Sequence, residues 1–146
     1  MRDAATAHLK SLHTLSIDAK NGYVEAVKEA EAEGLSELFE SMAELHARDE
    51  RELAAILLHE GVETDGDGSL LTWVHKTIID IRSLFGGLKE SILPGLIDGE
   101  TRILERYDAA LADANVPLAD AELLRLQRAR LNDAVVRMRA MKQVTD

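Results

Sequence analysis

The sequence contains no cysteine, only two prolines and only 3% aromatic residues. Without cysteine there can be no disulfide, no thiolate nucleophile and no cysteine-ligated metal, and a reducing compartment suits such a chain. No run of about twenty apolar residues is present, and the amino-terminal Met1-Arg2-Asp3-Ala4 lacks a signal-peptide core. The expectation is therefore a cytoplasmic protein with no membrane partner. Basic charge is also scarce: 17 Lys and Arg stand against 27 Asp and Glu, a formal net charge of −10. An acidic body repels nucleic acid and anionic lipid, so neither is an expected partner.

What is present is Ala, Leu, Glu, Asp and Arg in helix-period patterns, spread over 146 residues. That length suits one domain with its own core. The fold class expected is all-α: a ferritin-like antiparallel four-helix bundle over residues 1–116, with an additional fifth, basic amphipathic accessory helix over 117–143. Residues 1–116 carry 11 basic and 23 acidic side chains, whereas 117–146 carry 6 and 4. A basic last helix on an acidic body docks most simply by charge; a recognition surface for an acidic partner is the other reading.

The first helix is predicted over about residues 4–33, with Ala5, Leu12, Leu15, Ala19, Tyr23, Ala26 and Ala30 as its main stripe. Ile17 and Val24 fall on its back, which makes self-association as a homodimer plausible. Gly34 is read as the left-handed residue that ends this helix. The second helix follows from Ser36, with the stripe Leu38, Met42, Leu45, Asp49, Glu52, Leu53 and Ile56, and is stopped by Gly61.

The acidic, glycine-rich stretch Glu63 to Gly68 looks like the start of a calcium loop. Counted from Asp65, however, the sixth and twelfth positions hold Leu70 and Lys76 rather than Gly and Glu, so it reads as a solvated turn. A third helix is predicted over 69–85, with Trp73 and His75 on its flanks. The fourth is predicted over 93–112, with Pro94 in its first turn and Leu96, Ile97, Ile103, Leu104, Tyr107 and Leu111 on its apolar face. The fifth opens at Pro117 and has Leu124, Leu131, Ala134, Val135, Met138 and Met141 on one face. Its arginines, Arg130 among them, are assigned to the other faces.

Glu100 sits inside the apolar stripe of the fourth helix, within about 20° of its centre at 100° per residue. A buried carboxylate requires compensation. Counting depth from the turns places Asp49, Glu52, Arg82 and Glu100 in one layer, with Asp18 reaching it from the first helix and Tyr107 beside it. Two accounts follow. In one, Arg82 neutralises Glu100, Arg48 reaches back along helix two, and Asp49, Glu52, Arg82, Glu100 and Tyr107 form a buried polar layer that fixes register, with no cofactor. In the other, Asp18, Asp49, Glu52, His75 and Glu100 ligate an iron or manganese pair. The second account lacks the Glu-x-x-His step that such sites use, since helix two carries Asp49-x-x-Glu52 and helix four has no histidine.

Several short motifs also carry a resemblance. Asp18, Gly22-Tyr23 and Glu25-Ala26, then Leu38-Phe39 and Leu53, Gly68-Ser69 and His75, and finally Gly99-Glu100, Tyr107 and Ala110-Leu111 occur in order. Over roughly residues 9–115 the chain resembles the bacterial ferritin-like four-helix-bundle proteins of unknown function. The resemblance implies a ferritin-like fold, marks His75, Glu100 and Tyr107 as family positions, and suggests a stress-associated, non-enzymatic role. Lys76 and Ile78 stand where members typically carry Arg and Trp.

Overall fold

A computed structural model describes residues 2–29, 33–62 and 92–145. The described residues form four α-helices and no strand: α1 (Arg2–Glu29), α2 (Glu33–His59), α3 (Leu93–Ala112) and α4 (Leu118–Thr145). The helix predicted over 69–85, the acidic turn before it, His75 and Arg82 lie outside the described residues.

Each helix packs against two of the others. α1 lies along α2, α3 lies along α4, and the square closes through α1 against α3 and α2 against α4. All four contacts are antiparallel. Lys20 meets Glu50, whereas Tyr23, further along α1, faces His46, which comes earlier on α2. His8 meets Asp113 while Tyr23 meets Glu100. Asp49 and Glu52 face Arg130, whereas Ser41 shares a groove with Arg137. A turn of five residues, 113–117, reverses the chain from α3 to α4. The C-terminal helix is therefore one wall of the described bundle, and it buries Leu124, Gln127, Leu131, Ala134, Val135 and Met138.

The ends of the elements follow from local chemistry. α3 occupies the predicted 93–112, with Pro94 in the first turn, where its missing N–H goes unused. Gly61 has φ 75°, a left-handed conformation that costs an L side chain about 1–2 kcal/mol, and it ends α2 as expected. Val62 N–H donates to the Leu57 carbonyl and Gly61 N–H to that of Leu58, which satisfies last-turn acceptors. Gly34 differs from expectation. It lies inside the first turn of α2 and has no positive φ, because that helix starts at Glu33 rather than Ser36.

The core runs through one connected apolar cluster drawn from all four helices, including Leu9, Leu12, Phe39, Met42, Leu53, Leu57, Leu96, Leu124 and Leu131. On α2 the buried line is Leu35, Phe39, Met42, His46, Asp49, Leu53 and Leu57. Leu45 and Ile56, placed on the predicted stripe, are only half-buried flanks. On α1, Ile17 is buried although its pattern suggested an outward position, while Val24 is exposed as predicted. No described helix is long and apolar enough to cross a membrane.

Candidate functional site

At mid-height the apolar cluster is interrupted by a layer of polar side chains to which every described helix contributes. Its centre is Glu100 on α3, which is completely buried. A carboxylate there loses its hydration and needs donors from its neighbours. Tyr23 on α1 donates its hydroxyl to Glu100 Oε2 at 3.1 Å. His46 on α2 donates from Nε2 to the same oxygen at 2.8 Å and lies 3.1 Å from Oε1. The Tyr23 and His46 rings are near-parallel, 7° apart in plane with centroids 5.9 Å apart, and Phe39 packs at 6.0 Å on Tyr23.

Burial, the largest influence on His46, disfavours its charged form. The adjacent carboxylate of Glu100, its hydrogen bond and the nearby Asp49 outweigh that, so the imidazole pKa lies above its ordinary value. Protonated His46 against Glu100 is thus a buried, charge-assisted pair. Tyr23 is pushed well above an ordinary phenol, by burial first and then by Glu100, and remains a donor.

One turn along α2, Asp49 is also buried. Its Oδ1 accepts from Arg130 of α4 at 3.1 Å, while Oδ2 has no hydrogen-bond partner among the described residues. Arg130 is shared: it also donates to Glu52 Oε1 at 3.0 Å and Oε2 at 3.3 Å. Burial dominates at Asp49 and raises its pKa to about 7, against the opposing pull of His46 and Arg130. At Glu52 burial again raises the pKa, but hydrogen bonds from Arg130 and Gln127 prevail and hold it below the usual range. Gln127 of α4 joins the two halves of the layer. It donates to Glu52 at 3.1 Å and to the Asp49 carbonyl at 3.4 Å, and it accepts from the Tyr107 hydroxyl at 3.0 Å. Burial, followed by the surrounding acids, raises the Tyr107 pKa and keeps that phenol protonated.

Of the residues singled out from sequence, Asp49, Glu52, Glu100 and Tyr107 come together in this layer. Asp18 is half-buried on α1 and engaged in an interaction of its own. His75 and Arg82 lie outside the described residues. Among the described residues the counter-charge beside Glu100 is His46, which is absent from the predicted stripe of helix two, and Asp49 and Glu52 are served by Arg130, which the sequence assigns to an outer face of helix five. Tyr23 stands on the predicted stripe, though its hydroxyl's role does not show there; His46, Gln127 and Arg130 are the functional positions that periodicity missed. Two of them carry a readable signal: Met42, His46, Asp49 and Leu53 step by four, three and four, and Gln127 sits midway between Leu124 and Leu131.

Among the described residues no group of three or more His, Asp or Glu side chains is arranged to hold a metal ion. The oxygens of Glu100 face donors from Tyr23 and His46, and a guanidinium occupies the space between Asp49 and Glu52. The described residues of the layer do not fit a carboxylate-bridged metal pair in this arrangement, because the Glu100 and Glu52 oxygens and Asp49 Oδ1 already face cations or hydrogen-bond donors.

The fold and the layer define an all-α helical bundle with a buried, hydrogen-bonded acid–base network. Residues 4–113 match the family described as "Domain of unknown function (DUF2383)", and the chain belongs to that family. Tyr23, His46, Asp49, Glu52, Glu100 and Tyr107 lie within the matched span; Gln127 and Arg130 lie beyond it on α4. No curated protein matches the chain.

Proposed function

We propose that this protein is a non-enzymatic, ferritin-like helical bundle that acts through its surface or by self-association, and that its buried layer sets the register in which the helices meet. The observation that carries this reading is the saturation of Glu100: a fully buried carboxylate is held by Tyr23 and His46 from two different helices. Sliding either helix by a turn would strand a charge in the core, which is a strong penalty against wrong registers. Such a layer raises specificity more than it raises stability.

The reading retains the cytoplasmic, stress-associated setting and the homodimer expected from the sequence. Val24, half-exposed on α1, offers a surface for a second copy. Sedimentation equilibrium tests the dimer, and a monomer at all loading concentrations removes it.

An iron or manganese pair is the second reading, and one observation favours it: the buried Asp49 Oδ2 has no hydrogen-bond partner among the described residues. Arg130, seated between Asp49 and Glu52, weighs against it. Protein purified without chelator should contain no stoichiometric metal, and excess ferrous iron or manganese should leave its melting temperature unchanged, since a ligand specific to the native state must raise stability. Tightly held metal that is lost on Glu100→Gln would overturn the register reading in favour of the metal one.

A further inference from the structure

A second polar feature borders the buried layer, in a surface groove of about 340 Å³ between α2 and α4. From α2 it is lined by Ser41, Glu44, Leu45 and Arg48, which share one helical face. From α4 come Arg130, Asp133 and Arg137, also on one face. The antiparallel packing sets Arg48 and Arg130 at one end of the groove and Arg137 at the other, with Leu45 on the floor between them. Three arginines thus line one concavity, beside Glu44 and Asp133, in a protein whose net charge is −10.

These cations differ in how far they are committed. Arg130 is anchored by Asp49 and Glu52 and is mostly buried. Arg48 has only a long 3.6 Å contact with Glu52 and is well exposed, and Arg137 forms no ion pair among the described residues. Guanidiniums with unused donors are suited to bidentate recognition of tetrahedral oxyanions. An arginine fixed in place by a carboxylate network is a pre-organised donor, which lowers the ordering cost of binding.

We propose that this groove binds a multiply charged oxyanion of the phosphate class, held between Arg48 and Arg137 with Arg130 as the rigid inner wall and the Ser41 hydroxyl as an added donor. Glu44 and Asp133 oppose the anion and Arg130 is already paired to Asp49 and Glu52, so binding depends on close bidentate contacts from Arg48 and Arg137 rather than on the net charge of the groove. The site shares Arg130 with the buried layer, but its test reads the exposed Arg48 and Arg137, so its failure is distinguishable from failure of the register reading.

Isothermal titration of the full chain with inorganic phosphate and with pyrophosphate, at ionic strength held constant with sodium chloride, tests it. Saturable binding is expected, tighter for pyrophosphate. Arg48→Ala and Arg137→Ala should each weaken it about tenfold, the loss of one charge-assisted contact. Glu44→Gln should tighten it, and Arg125→Ala, on α4 but outside the groove, should leave it unchanged. All four positions are exposed, and circular dichroism melts verify that each variant folds. Absence of saturable heat, binding that survives the Arg48→Ala/Arg137→Ala double replacement, or no gain from Glu44→Gln overturns the proposal.

Discussion

Replacing Glu100 is the sharpest test of the layer. Glu100→Ala leaves the Tyr23 hydroxyl and the His46 N–H without their acceptor, leaves His46 without a counter-charge, and opens a void at the bundle's centre. Breaking a buried pair from one side costs about 3–5 kcal/mol. In a chain of this size each kcal/mol lowers the melting temperature by roughly 2–4 °C, so the drop should fall between about 6 and 20 °C. Glu100→Gln keeps a carbonyl acceptor but turns an amide towards donors, at a cost of about 1–3 kcal/mol. The two changes should be measured by urea denaturation within a double-mutant cycle with His46→Ala. A coupling energy of about 0.5–3 kcal/mol is expected for groups in one network. Replacing both His46 and Glu100 with leucine should recover much of the loss, because an apolar pair does not have to be desolvated. If Glu100→Ala costs less than about 1 kcal/mol, or the coupling with His46 vanishes, the carboxylate is not held as described and the argument for register fails with it.

Stability should fall as pH rises from about 5.5 to 8. Asp49 has its pKa raised to about 7, so the folded state holds a proton between about pH 4 and 7 that the unfolded chain releases, and His46, also raised, contributes in the same direction above about 6.5. Asp49 is worth on the order of 2 kcal/mol over this interval and His46 adds in the same direction, and Asp49→Asn should flatten the slope; a melting temperature that climbs over this interval would contradict the assignment. Below about 4.5 the lowered Glu52 reverses the trend, since its stabilising charge is lost as it protonates. Arg130→Met should destabilise by about 2 kcal/mol at pH 8, allowing for its partly solvated edge, and by less at pH 5, where Asp49 carries its own proton; equal losses at the two values would refute this. Two glycines make an opposed pair: Gly61→Ala should lose about 1 kcal/mol to its positive φ, whereas Gly34→Ala, helical and with open space around a new Cβ, should gain about 0.5 kcal/mol in chemical denaturation.

Legibility in the sequence varied with the kind of residue. Glu100 was placed inward because apolar neighbours at three- and four-residue steps define a face whatever sits at its centre. Periodicity does not single out His46 and Tyr23 as its partners, because both are ambiguous in such a count. Histidine is found inside and outside with similar ease, and tyrosine counts as apolar although its hydroxyl needs a partner. On α2, weighting by hydrophobicity pulled the predicted stripe towards Leu45 and Ile56, yet the axis of the buried face runs through His46. Arg130 was assigned outward by its charge, although its long stem lets the guanidinium reach in to Asp49 and Glu52.

The sequence by itself determined that the described chain is helical, that α3 runs from Leu93 to Ala112, that Gly61 ends α2, and that acids from α2 and α3 face inward. These depend on backbone propensity and on angles within single helices, which local sequence encodes. Only the tertiary structure decided that the C-terminal helix is a wall of the described bundle, that His46 and Tyr23 reach Glu100, and that one guanidinium serves both Asp49 and Glu52. Those outcomes depend on the relative rotation and depth of separate helices, quantities that no periodicity within one segment contains.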